Sequence, residues 1–128
     1  MIVIDTSALM AVVLDESSAT DCMTAIEQEP ELAISAGTLA EVLIVAMQRG
    51  VAPAMERLIQ DLGMEIVAVT EAEALRVWAA YSRWGRGRHR AGLNFGDCFA
   101  YALAKERKCP LLFVGSDFAR TDLRPALS

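Results

Sequence analysis

This sequence is poor in the residues that build zinc centres and disulfide frameworks. It holds three cysteines and one histidine in 128 residues. Cys22, Cys98 and Cys109 are widely spaced and odd in number, and they form no Cys-x-x-Cys pair, so they point to neither a zinc site nor a set of bridges. Each lies in or beside an apolar pattern, as small core residues do. With His89 as the only histidine, chemistry that needs a pair of histidines is excluded. Long hydrophobic runs are also missing: Val42–Met47 is far short of the ~20 residues of a membrane span. The apolar opening Met1–Ile4 has no basic segment before it and is too short for a signal peptide, so the expected location is the cytoplasm, with no membrane partner. Excess positive charge is absent. The net charge is −5 and the pI is near 4.8, which argues against a general basic coat for nucleic acid. No internal repeat, low-complexity segment or linker interrupts the chain.

What is present is an apolar pattern with regular punctuation. Hydrophobic residues make up 54% of the chain, enough for one sizeable core, and the length fits one domain. Met1–Ile4 reads as a short buried strand, followed by the capping residues Asp5-Thr6-Ser7 and a helix over Ala8–Leu14. Asp15–Ser18 is a turn. A helix over Ala19–Gln28 ends before Pro30. Leu32–Ser35 is a strand, and Ala36–Arg49 a helix stopped by Gly50. Pro53 opens a helix to Leu62, and Gly63 ends it. Met64–Val69 is a strand. Thr70, with Glu73 in the capping-box position, starts a helix to Trp84. Gly85–Gly92 is a loop carrying Arg86, Arg88, His89 and Arg90. Asn94 caps a helix over Phe95–Lys108. Leu111–Val114 is a strand, and the turn-rich tail to Leu127 has room for one more. Strands alternating with helices imply an α/β fold with a parallel sheet covered on both faces.

Asp5, Glu41, Asp97 and Asp117 stand apart from their surroundings. Asp5 and Asp117 follow apolar runs, Glu41 is the only charge in a long apolar stretch, and Asp97 opens an apolar-periodic helix. Buried carboxylates need a partner or a metal, and one hard cation such as Mg²⁺ would compensate all four. In open α/β sheets ligands bind at the carboxyl ends of the strands, near the switch in strand order. If the first and fourth strands are neighbours, the four acids meet there. Each also has a plainer role: Asp5 as a helix cap, Asp97 as an acid in a first turn, Asp117 as a turn residue, Glu41 on a solvated face.

The same residues carry a family resemblance. Ile2-Val3-Ile4-Asp5-Thr6-Ser7-Ala8-Leu9, Ala40-Glu41-Val42, the run from Gly87 to Cys98 that contains Asn94-Phe95-Gly96-Asp97, and Leu112-Phe113-Val114-Gly115-Ser116-Asp117-Phe118 with Thr121-Asp122-Leu123 together resemble the PIN-domain ribonucleases. The likeness is to the VapC-type toxins of toxin–antitoxin pairs. Two positions depart from the pattern: Ser116 stands where an acidic or amide residue is common, and Arg90 where proline often follows the histidine.

The resemblance implies a three-layer α/β/α PIN-like domain over residues 1–128, with a central, mostly parallel sheet of four to five strands. It implies a metal-dependent endoribonuclease that leaves a 5′-phosphate and a 3′-hydroxyl. Asp5 and Asp97 would be the ligands of Mg²⁺ or Mn²⁺, with Glu41 and Asp117 completing a catalytic acidic pocket. Arg86, Arg88, His89 and Arg90, with Thr6 and Asn94, are the candidate RNA contacts. The arginines offer bidentate forks for phosphate, and Thr6, Ser7 and Asn94 serve equally as helix caps. Implied partners are an RNA substrate, a VapB-like antitoxin that lays an amphipathic segment in an apolar groove, and a second copy of the chain in a homodimer. Trp78, Tyr81 and Trp84 follow helical spacing and are expected in the core or an interface. Two rival readings remain. A phosphoacceptor-like Mg²⁺ domain would want a second acid where Thr6 stands, an acid where Thr70 stands and a lysine after Leu112. A non-catalytic α/β interaction module would use the acids as caps and turns.

Overall fold

Buried side chains of three strands point alternately to two separate apolar clusters, and that alternation divides the molecule into layers. The computed structural model describes residues 1–127. In β1 (Ile2–Ile4), Val3 turns to one side and Ile2 and Ile4 to the other. β2 (Leu32–Ser35) repeats this with Ala33 against Ile34, and β4 (Leu111–Leu112) with Leu111 against Leu112. One face packs on α5 (Glu71–Trp84) and α6 (Phe95–Arg107) through Val77, Trp84, Cys98 and Leu103. The other packs on α1 (Thr6–Val13), α2 (Ala19–Glu27), α3 (Ala36–Gln48) and α4 (Ala52–Leu62) through Leu9, Cys22, Val42 and Met55. Each large apolar side chain buried this way contributes roughly 1.5–3 kcal/mol.

The sheet is parallel throughout, in the order β3-β2-β1-β4, with β3 spanning Glu65–Val67. β1 pairs with β2 (Ile2↔Leu32) and with β4 (Ile4↔Leu112). The chain runs outward from β1 to β3 and then returns across the sheet to β4, so the strand order switches at the carboxyl ends of β1 and β4. The expected α/β/α architecture is present, with four strands among the described residues. The tail adds an isolated bridge, Leu111↔Pro125, instead of a fifth strand.

Several expected boundaries shift. α1 starts at Thr6 because Asp5 is the cap. β4 is two residues long because the chain leaves the ladder early: the Val114 N–H donates to Ser7 Oγ at 2.9 Å. β3 is shorter than Met64–Val69 because Met64 turns into the core, while Ile66 sits on an open edge, about half exposed. Thr70 caps α5 by accepting from the Glu73 N–H, but the Glu73 carboxylate turns to Arg76 at 2.5 Å and closes no capping box. Among the described residues, no helix is long and apolar enough to cross a membrane.

Candidate active site

Asp5 ends β1 at the strand-order switch and is 4% exposed. Its Oδ2 accepts from the Ser7 N–H at 3.1 Å and from Ser7 Oγ at 2.7 Å. Its Oδ1 is buried and, among the described residues, has no hydrogen-bond partner. Burial lifts the Asp5 pKa to about 6, opposed by the bonds from Ser7 and reinforced by Glu41. Ser7 also accepts the Val114 N–H, so one hydroxyl clamps Asp5 to the exit of β4.

Glu41 reaches the same end of the sheet from α3 and is half-buried. Thr6 Oγ1 donates to its Oε1 at 2.6 Å. Gly96 makes room for it, since a β-carbon at that position would overlap the Glu41 carboxylate.

Asp97 is fixed by the first turn of α6. Asn94 Oδ1 accepts from the Asp97 N–H at 2.8 Å, and Asp97 Oδ2 accepts from the Asn94 N–H at 3.0 Å, a complete capping box. The cap leaves Oδ1 of Asp97 for other work. Burial raises this carboxyl to about 7. The Asn94 N–H opposes the rise, and the negative charges of Asp5, Asp117 and Glu41 add to it. The plain role of Asp97 as a capping residue and its place among the acids are thus held together.

Asp117 is exposed, in the turn after β4. Its charge reaches Asp97, so the four acids share one electrostatic neighbourhood. Among the described residues, no three Asp, Glu, His or Cys side chains form a ready-made metal cage. The donor set nevertheless suits Mg²⁺, a hard cation that takes one or two carboxylates and otherwise keeps water and substrate oxygens. The unpartnered, buried Asp5 Oδ1 fits a cation ligand, and the two carboxyls, raised chiefly by burial, are groups whose charged forms a cation would favour.

Other expected contacts fall differently. Thr6 is engaged with Glu41 and Asn94 with the helix cap, so both act on the acids. Arg86, Arg88 and Arg90 are exposed on the loop that follows α5. His89 is half-buried: its Nδ1 accepts the Ala91 N–H at 2.9 Å, and its ring meets Trp84 edge-on at 4.7 Å. Trp84 is core, as expected, whereas Trp78 is 69% exposed. Trp78, Tyr81, Arg86, Phe95 and Phe99 line an apolar groove of about 700 Å³, which holds none of the four acids. Sequence alone singles out neither Gly96 nor the Thr6–Glu41 bond. The only signal for either is its place inside a motif.

A PIN domain family model matches residues 2–123. The chain is 43% identical to "Ribonuclease VapC" of Mycolicibacterium smegmatis over 124 residues, covering 94% of this chain and 96% of the relative. It is 42% identical to "Ribonuclease VapC30" of Mycobacterium tuberculosis, covering 94% and 95%. Among solved structures, Mycobacterium tuberculosis VapC20, a sarcin-ricin loop cleaving toxin, superposes with a TM-score of 0.75 at 18% identity, covering 98% of this chain and all of that one.

Proposed function

This chain belongs to the PIN-domain family, and from that premise we propose that it is a VapC ribonuclease, the toxin of a toxin–antitoxin pair. The observation that carries the reading is the Asp5 carboxylate: it ends the central strand, is buried with one oxygen unpartnered, and shares its field with Glu41 and Asp97. Caps and turns on a non-catalytic module give no reason to bury such a group at the strand-order switch. The phosphoacceptor reading is disfavoured by Thr6, whose hydroxyl serves Glu41 where that reading needs an acid.

In the proposed reaction an RNA phosphodiester is hydrolysed in the acidic pocket. Asp5 through Oδ1 and Asp97 through Oδ1 would hold Mg²⁺, for which Mn²⁺ can substitute. When bound, the metal would neutralise charge on the scissile phosphate and acidify the attacking water. Glu41, oriented by Thr6, and Asp117, open to solvent, are placed to orient water and accept a proton. Ser7 keeps Asp5 in register with the β4 exit, and the Asn94 capping box keeps Asp97 in register with α6. Arg86, Arg88 and Arg90 are proposed to grip RNA phosphates beside the pocket, with His89 holding their loop in shape. The remaining parts of the reading are a cytoplasmic location, a VapB-like antitoxin, a homodimer, and a domain that spans residues 1–128. Structural neighbours that are toxin–antitoxin complexes support the antitoxin.

The test is to incubate purified protein and its Asp5→Asn variant with total cellular RNA, in Mg²⁺ and in EDTA. Discrete fragments with 5′-phosphate ends are expected from the wild type in Mg²⁺ alone. Intact RNA in every lane, from folded protein freed of antitoxin, would overturn the reading.

A further inference from the structure

The turn that carries Asp117 has little regular structure to hold it. β4 ends at Leu112, and among the described residues the only strand-like contact further along is the bridge at Pro125. Between them two residues of the turn, Phe118 and Asp122, tie it to the α5 and α6 side of the molecule. Phe118 is buried against Phe113. Four residues further on, Asp122 Oδ1 accepts from Tyr101 Oη at 2.6 Å, and its Oδ2 lies 3.1 Å from Lys105 Nζ and 3.7 Å from Arg83 Nη1.

Tyr101 is the centre of a relay. It is 6% exposed, and the same oxygen that donates to Asp122 accepts from Trp84 Nε1 at 2.8 Å. Trp84 is the last residue of α5 and carries the His89 ring on its edge, so it bears directly on the loop of Arg86, Arg88 and Arg90. A second tie runs parallel to this one: Arg120 Nη1 donates to the Arg90 carbonyl at 3.1 Å. Burial, and then the bond to Asp122, push the Tyr101 hydroxyl up to about 12, so it stays a donor. Burial alone would raise Asp122, but the bonds from Tyr101 and Lys105 outweigh it and hold the carboxyl below its ordinary value.

We propose that Asp122, acting through Tyr101 and Trp84, is a positioning residue that fixes the Asp117 turn and the Arg86–Arg90 loop relative to one another. The acidic and basic halves of the site would then be set by two hydrogen bonds in series and the aromatic contact that follows them. The lysine and arginine pairs on Asp122 are exposed and contribute little. The partly buried tyrosine bond carries the effect. The consequence for cleavage rests on the ribonuclease reading above.

The experiment compares wild type, Tyr101→Phe and Asp122→Ala. Asp122 is exposed, so its variant is expected to fold even if the tyrosine variant does not. Amide hydrogen exchange is followed at Ala119 and Thr121 in the turn and at His89 and Gly92 in the loop, alongside kcat and KM for RNA cleavage in Mg²⁺. Exchange is expected to speed up in both segments, with kcat down about tenfold and KM raised severalfold, because a small misplacement of reacting groups costs this much. Faster exchange confined to α5 and α6, or a rate that falls only in step with the melting temperature, would overturn the proposal. A wild type that cleaves no RNA would sink the ribonuclease reading alone, and the exchange pattern in the two segments would still decide whether Asp122 fixes them.

Discussion

The Glu41 carboxylate stands where a β-carbon on Gly96 would project. The two residues lie on different helices, α3 and α6, and the missing side chain of one is the space occupied by the other. Gly96→Ala should therefore push Glu41 off Thr6. Alanine is worth up to ~1 kcal/mol over glycine inside a helix, so the melting temperature should hold or rise slightly. RNA cleavage should fall by at least about tenfold, the cost of a displaced catalytic group. An alanine variant with full activity would show that Glu41 has no fixed role.

Asp5 sets a pH dependence with a definite sign. Its folded pKa, about 6, lies above the ordinary 3.8, so the folded state binds the proton more tightly. Its contribution to stability is greatest below about pH 4 and is lost as the pH rises to about 6. Asp97, raised to about 7, extends that loss by about another unit. For Asp5 the penalty above about pH 6 is on the order of 3 kcal/mol. Melting curves from about pH 4 to 8 in EDTA should show the decline, and Mg²⁺ should restore stability more at the alkaline end than at the acid end.

Asp5→Asn should separate stability from activity. Removing a buried charge should raise the melting temperature at about pH 8 in EDTA, flatten the pH profile and abolish the gain from Mg²⁺. Cleavage should drop at least about a hundredfold, within the range seen when charge-stabilising groups are removed. A variant that is both less stable at alkaline pH and still active would contradict the assignment.

Thr6→Val keeps the shape and removes the 2.6 Å bond to Glu41. Glu41 is half-buried and can turn to water, so the stability change should stay near about 1 kcal/mol or below. The effect should appear in kcat, with KM little changed. A pure KM effect would instead place Thr6 on the substrate, as its motif position suggests.

Replacing Arg86, Arg88 and Arg90 with alanine should weaken RNA binding more at low salt than at high salt. For each phosphate no longer neutralised, the slope of log affinity against log salt should flatten by about 0.7 for single-stranded RNA. A triple variant with an unchanged slope would remove the loop from the binding surface.

The candidate site was legible because Asp5 and Asp117 follow apolar strand patterns and Asp97 opens a helix, where a sequence shows ends well, while Glu41 is the only charge in the apolar α3. The apolar run before Asp5 and the Asn94 cap before Asp97 located both groups to the residue. The joining of the first and fourth strands was needed to bring them together and was only a condition until the sheet order was seen. Glu73 misled because its spacing from Thr70 fits a capping box, while Arg76, one turn further on, competes for the carboxylate. Trp78 and Trp84 look like one stripe at i and i+6, but six residues are about 1.7 turns, so the two rings point to different sides. One is core and the other faces solvent. The departures from regularity near the pocket, such as the early end of β4, come from single side-chain bonds that no periodicity reports.

The pairing of Val3 with Leu111 joins the middle of β1 to nearly the far end of the chain. Parallel pairing across such a separation is slow, because loop closure must precede the contact that rewards it. During synthesis, β1 can dock on β2 early, but its other edge stays open until residues 111 and 112 have emerged. Asp117 comes later still. A nascent chain on the ribosome thus holds three of its acids and no assembled pocket, and a product that stops short of β4 should be inert towards RNA. The strand order thus delays assembly of the pocket until β4 and the Asp117 turn have joined the sheet.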